Sequence, residues 1–191
     1  MSEAMEHHTN LSRYAKVQRV LHWGIAALVL ISLAGGLLLG RMEFESVTDT
    51  FGGGGRDLIY EYHKTFGLLI LALMLIRLFV RFEHATPPYP ASITPSQKLA
   101  SSLVHYLLYV LLLAMPVLGW AATDALNYPV EFFAFNLPQL LPKSQKIGAL
   151  LFDWHRYIGW TLCAFVALHI GAALMHWLLL KDGVMQRMSL H

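Results

Sequence analysis

Charged residues are spaced along this chain so that four apolar runs remain between them. The first extends from Val20 to Gly40 and is closed by Arg19 and Arg41. The second, Leu58 to Phe82, carries Glu61, His63 and Lys64 near its start and Arg77 and Arg81 near its end, leaving Thr65 to Ile76 free of charge. The third, Leu99 to Thr123, lies between Lys98 and Asp124, and the fourth lies between Arg156 and Lys181. About 20 apolar residues cross a bilayer as a helix. Charges confined to the ends of a run can snorkel, and an inward face can be shielded by a bundle. The pattern predicts an all-α, integral membrane four-helix bundle with spans over about residues 17–40, 58–82, 99–123 and 148–180, in one domain covering 1–191.

The connections are polar or broken. Residues 41–57 hold acids, turn formers and Gly52-Gly53-Gly54-Gly55; this predicts a flexible loop, and four undifferentiated glycines do not make a phosphate-binding motif. HATPPYPASITP, residues 84–95, has four prolines and reads as a loop. NYPVEFFAFNLPQLLP is aromatic and proline-broken, and is expected to lie in the membrane interface rather than to cross. Pro116 is expected to kink the third helix. Four spans return both termini to one side. That side and the second-to-third connection carry eight Lys and Arg against six opposite, which favours cytoplasmic termini.

Composition agrees with the pattern. The chain is 56% hydrophobic and 14% charged, with a mean hydropathy of +0.50, well outside the soluble range. A net charge of +2 without a basic run argues against nucleic acid as a partner. The single cysteine, Cys163, excludes an internal disulfide, an iron–sulfur cluster and a CxxCH haem attachment. The start, MSEAMEHHTNLSRYAK, is polar and contains acids, unlike a signal peptide. His7 and His8 in it are expected to belong to a mobile terminus rather than to a ligand pair.

The histidines carry the chemistry. His155 stands at the entrance of the fourth run, and His169 and His176 lie inside it. Fourteen residues, close to four helical turns, separate His155 from His169, so both point the same way roughly 21 Å apart. His22, followed by Trp23, His63 and His105 lie near the starts of the other three runs. An ionisable side chain at membrane depth is by default a functional residue, although His22 alone could be snorkelling at the interface and His105 alone could be a satisfied core group. Antiparallel threading puts His63 and His155 toward the far face, and His22, His105 and the deeper histidines of the fourth run toward the terminal face. Two neutral imidazoles on facing helices can take the fifth and sixth positions of a haem iron. Sites made by protein alone more often recruit Cys or carboxylates, and no span centre holds a carboxylate. Gly24, Ala26, Ala27, Gly67, Gly159, Gly171, Ala172 and Ala173 leave room for a flat macrocycle, or serve close helix packing. The expectation is two stacked haems.

VQRVLHW, YHKTFGLLILALMLIRLFVRF, TPPYP, LVHYLLYVLLLAMPVLGW, WHRYIGW, ALHIGAALMHWLLLKD and VMQRM resemble the bacterial cytochrome b561 family, small four-helix, di-haem membrane cytochromes similar to the cytochrome b subunits of nickel hydrogenases. The resemblance runs from about Tyr14 to Met188. It implies two noncovalent b-type haems with His22, His63, His155 and His169 as axial ligands. His105 and His176 match histidines of the superoxide-oxidising, quinone-reducing members, and are the quinone-site candidates. The glycine-rich first loop and the lack of a strongly basic C-terminal tail depart from the family pattern. Depth matching alone would pair His22 with His176. That would separate the two irons by nearly the hydrocarbon thickness, roughly 30 Å, which suits electron hopping poorly. Helix tilt absorbs a one-turn mismatch, so His169 is the expected partner, and the resemblance adds weight.

The implied function is electron transfer through two haems between the periplasmic face and the quinone pool, with ubiquinone as acceptor. One version oxidises superoxide outside. Another is the membrane anchor of a hydrogenase or dehydrogenase, and a different class altogether is a histidine-lined metal or proton transporter. Lys64 and Arg156, with Lys143 and Lys146, are candidates for steering a small anion toward the far-side haem. Lys64 and Arg156 would serve equally to pair with haem propionates. The same side carries eight acids, so steering requires the cations to gather at the haem and the acids to stay on the outer loops.

Overall fold

The computed structural model describes residues 13–41, 49–50, 52–133 and 135–190; His7, His8, Glu43 and Glu45 lie outside them. Its long elements are α1 Lys16–Arg41, α2 Gly53–Glu83, α3 Pro95–Ala125 and α4 Gln145–Met175. Among the described residues these four helices, the last continued to Leu180, are long and apolar enough to cross a membrane. Large apolar side chains such as Leu75, Phe79, Leu103, Leu168 and Leu179 face outward. A patch of that extent is costly in water and matched by lipid.

The helices are longer than the apolar runs because local chemistry extends them. Thr94 and Gln97 form a capping box with Pro95 in the first turn, so α3 begins before Leu99. The glycine run expected as loop is largely helical: Gly53–Gly55 open α2 after Gly52, which takes φ 75. Without Cβ atoms these residues meet no steric objection to either the left-handed turn or the helix that follows it. The segment after α3 adds a small antiparallel ladder to the all-α plan: β1 Glu131–Phe132 pairs with β2 Phe135–Asn136, Glu131 opposite Asn136. It is tied back to the bundle by the Asp124 carboxylate, which accepts from the Leu140 and Leu141 amides at 2.7 and 2.9 Å.

α1 packs mainly on α2, and α3 on α4, with α2 and α3 joining the two hairpins; α1 and α4 touch little. Between α1 and α2, Ile25, Val29, Ile70 and Met74 form a buried apolar cluster. α4 loosens into a π-helical turn over His176–Leu180. Lys181 and Gly183, both with positive φ, then reverse the chain into a 3-10 turn at Met185–Met188.

Candidate functional site

Toward the face where α1 joins α2 and α3 joins α4, His63 of α2 and His155 of α4 meet with ring centroids 6.1 Å apart and planes at 84°. Each ring is fixed by the preceding helix in the same way. His63 Nδ1 lies 3.0 Å from the Ser32 carbonyl of α1, and His155 Nδ1 lies 3.1 Å from the Met115 carbonyl of α3. A carbonyl only accepts, so in both rings Nδ1 is the donor and the Nε2 lone pair is left for a metal. One turn beyond each carbonyl stands a glycine. A Cβ at Gly36 would come within 2.9 Å of His63 Cε1, and one at Gly119 within 3.0 Å of His155 Cε1. No other residue lets the rings approach α1 and α3 so closely.

Between these rings opens a cavity of about 400 Å³, within the usual span of ligand sites, roughly 300–1,000 Å³. Gly67 and Gly159, expected from the sequence to leave space, line it, as do Gly36 and Gly119. The Trp120 indole N–H, buried and without a partner, also belongs to its wall. Lys64, Arg56 and Arg156 stand among its lining residues. Lys64 Nζ reaches the Pro129 carbonyl at 3.4 Å and sits 5.0 Å from the Tyr60 ring. Arg156 pairs with Asp153 at 3.0 Å. Lys143 and Lys146 are exposed and are not among the residues lining the cavity. The anticipated cation cluster is thus divided, and Arg56, not singled out in the sequence, joins it.

Toward the terminal face the structure brings together three of the predicted histidines. His22 and His169 have ring centroids 6.1 Å apart at 79°, and His105 stands 5.1 Å from His169. A first-row metal–imidazole bond is about 2 Å long and the ring centre lies about 1 Å behind the nitrogen, so two imidazoles facing each other across a metal have centroids about 6 Å apart. Both 6.1 Å pairs fit that spacing, while His105 is too close to His169. His105 Nδ1 is instead engaged by its own helix, 2.6 Å from the Ser101 carbonyl. Nearby, Arg77 donates to the Tyr109 hydroxyl at 3.1 Å. His176, two turns beyond His169, bonds through Nδ1 to Asp182 Oδ2 at 2.5 Å, both side chains largely buried.

Among the described residues no group of three or more His, Cys, Asp or Glu could hold a metal ion. A metal between paired imidazoles would take further ligands from elsewhere, as iron does from a porphyrin. The cavity, the glycine cradles and the spacing of the paired rings fit such a group.

Four membrane-length helices with opposed imidazoles at two depths define a class, the integral membrane cytochromes b. Residues 13–189 match the family model described as prokaryotic cytochrome b561. The chain is 31% identical to cytochrome b561 homolog 1 of Escherichia coli strain K12, over 93% of this chain and 97% of that protein. It is 32% identical to cytochrome b562 of Cereibacter sphaeroides over 76% of this chain and 88% of that protein. It is 24% identical to the probable superoxide oxidase CybB of Yersinia pestis, over 92% and 95% respectively. This chain belongs to the prokaryotic cytochrome b561 family, whose members are membrane electron-transfer proteins with b-type haem.

Proposed function

We propose that this protein passes electrons through two b-type haems, from a donor at the far face to a quinone, taken here as ubiquinone, near the terminal face. His63 and His155 hold the far-side haem and His22 and His169 the near-side one. The carrying observation is the common spacing of 6.1 Å in both imidazole pairs. When bound, b-type haem supplies a reversible one-electron couple. The protein orients the ligands. The Ser32 and Met115 carbonyls hold His63 and His155 in the tautomer that presents Nε2, and Gly36 and Gly119 let each ring lie against the neighbouring helix. His155→Ala and His169→Ala should each remove one of two haems in a pyridine haemochrome assay. Two haems retained in His169→Ala, with one lost in His176→Ala, would refute the pairing. A colourless purified protein would point to a histidine-lined transporter.

Within this reading, superoxide is the donor favoured by the Lys64, Arg56 and Arg156 cations lining the far-side cavity. Positive charge there raises the encounter rate of a small anion. A relative described as a probable superoxide oxidase adds support at 24% identity. If superoxide leaves the haems oxidised while a reduced partner protein fills them, the chain is instead the anchor of a larger dehydrogenase or hydrogenase. Its position in that reading is a bacterial inner membrane with cytoplasmic termini, as the eight-to-six distribution of Lys and Arg favours.

A further inference from the structure

The near-side histidines lack the support that fixes the far-side ones. His63 and His155 each bond a helix of their own hairpin. His22 and His169 stand on α1 and α4, which touch little, and among the described residues no hydrogen-bond partner fixes either ring. What joins the terminal ends of these two helices is the segment after α4. It leaves His176, is folded back by Asp182, whose carboxylate holds His176 Nδ1 and accepts from the Val184 amide, and reaches α1 at the turn that carries His22. There the Trp23 indole donates to the Met188 carbonyl at 2.8 Å, and Arg19 donates to the Ser189 carbonyl. Arg19 and Trp23 are four residues apart, on one side of α1, and bracket His22. Arg187 locks the segment from the other side. It is only 5% exposed, donates to the Pro87 carbonyl in the α2–α3 connection, and lies between the rings of Tyr14 and Tyr89 at 5.4 and 5.5 Å.

We propose that residues 182–189 are a positioning strap for the near-side haem site. The strap ties α1 to α4 so that His22 and His169 keep their 6.1 Å separation, with Trp23, Arg19 and Arg187 as its fastenings. A strap of this kind matters because, among the described residues, neither ring is oriented by a hydrogen bond, so ligand spacing depends on where the two helices are held. Supporting residues of this kind typically alter metal affinity by about 10–100-fold when removed. The inference rests on the reading that His22 and His169 share a haem.

The test uses the full-length protein in detergent or nanodiscs, with three variants: Trp23→Phe, Arg187→Gln and a truncation after Gly183. Trp23→Phe keeps a smaller aromatic ring beside His22 and removes the N–H to Met188. The expected result is selective: the near-side haem shifts in midpoint potential and low-spin EPR signal, and is lost to apomyoglobin at least about tenfold faster, while the far-side haem is unchanged. His169→Ala serves as the control. If it retains both haems, the pairing itself is wrong. If it loses one haem while Trp23→Phe and the truncation leave both potentials and release rates unaltered, the strap is wrong. Equal loss of both haems in the truncation, with no selective change in Trp23→Phe, also overturns it.

Discussion

His176 and Asp182 form a buried imidazole–carboxylate pair, Nδ1 to Oδ2 at 2.5 Å, with side chains 14% and 8% exposed. An interfacial histidine needs no such partner, because water or a backbone carbonyl satisfies it. The carboxylate fixes the proton on Nδ1 and leaves the Nε2 lone pair available, as carboxylates do for catalytic and metal-bound histidines. His176 lies roughly 10 Å beyond His169 along the helix, where the quinone of the proposed function would need protons as well as electrons. His176→Leu is expected to slow steady-state quinone reduction by about tenfold or more while both haems remain. Unchanged turnover in His176→Leu would remove His176 from the quinone site.

The glycine cradles make an opposed prediction for stability and binding. An alanine in the middle of a helix is favoured over glycine by about 0.5–1 kcal/mol, so Gly36→Ala and Gly119→Ala should not weaken the helices themselves. Each new Cβ would, however, press on a histidine ring at about 3 Å. Displacing a ligand in a close-packed interior has nowhere to go at low cost. The expected outcome is a folded protein with the far-side haem lowered in occupancy or shifted in potential, and the near-side haem intact. A redox titration with two resolved waves reads this directly.

His105 provides a geometric discrimination. At 5.1 Å from His169 it is closer than two rings facing each other across one metal, which need about 6 Å, and its Nδ1 is engaged by Ser101. His105→Ala is therefore expected to keep two haems, whereas His22→Ala keeps one. Haem-to-protein ratios in the two variants suffice, and a single haem in His105→Ala would reassign the near-side ligand.

The far face can be tested by salt. Lys64 and Arg56 line the cavity between His63 and His155, whereas Lys143 and Lys146 lie outside it. In stopped flow, haem reduction by superoxide should slow as ionic strength rises through the range where the screening length falls from about 30 to 10 Å. Lys64→Gln should reduce the rate at low salt by a few-fold and flatten its salt dependence, since near-site charges steer small anions. The double variant Lys143→Gln, Lys146→Gln should leave the rate unchanged. A salt-independent rate would leave these cations a structural role beside the haem carboxylates.

Much of this protein follows from sequence order alone. Charge spacing specifies four spanning helices, because a bilayer core of about 30 Å is crossed by helices of about 20 predominantly apolar residues. The fourteen residues between His155 and His169 specify two levels, because helical rise and period are nearly invariant. The segment motifs identify the family, and residues 13–189 match it. Helix ends were less legible: Gly53–Gly55 reads as loop, yet forms the first turn of α2, since glycine allows either outcome and neighbouring structure decides.

Only the tertiary structure decides which rings face each other and what holds them. His105, His169 and His176 all approach one face by threading, and the distances of 6.1 and 5.1 Å separate them. Gly36 and Gly119 look like any other membrane glycines in sequence; their role appears once a ring from another helix lies against them. Asp182 reads as a polar residue ending the last span, until the left-handed Lys181 and the turn at Gly183 bring its carboxylate back onto His176. Periodicity is local and is written along the chain, whereas contacts between helices depend on how the hairpins pack, for which the sequence pattern carries no term.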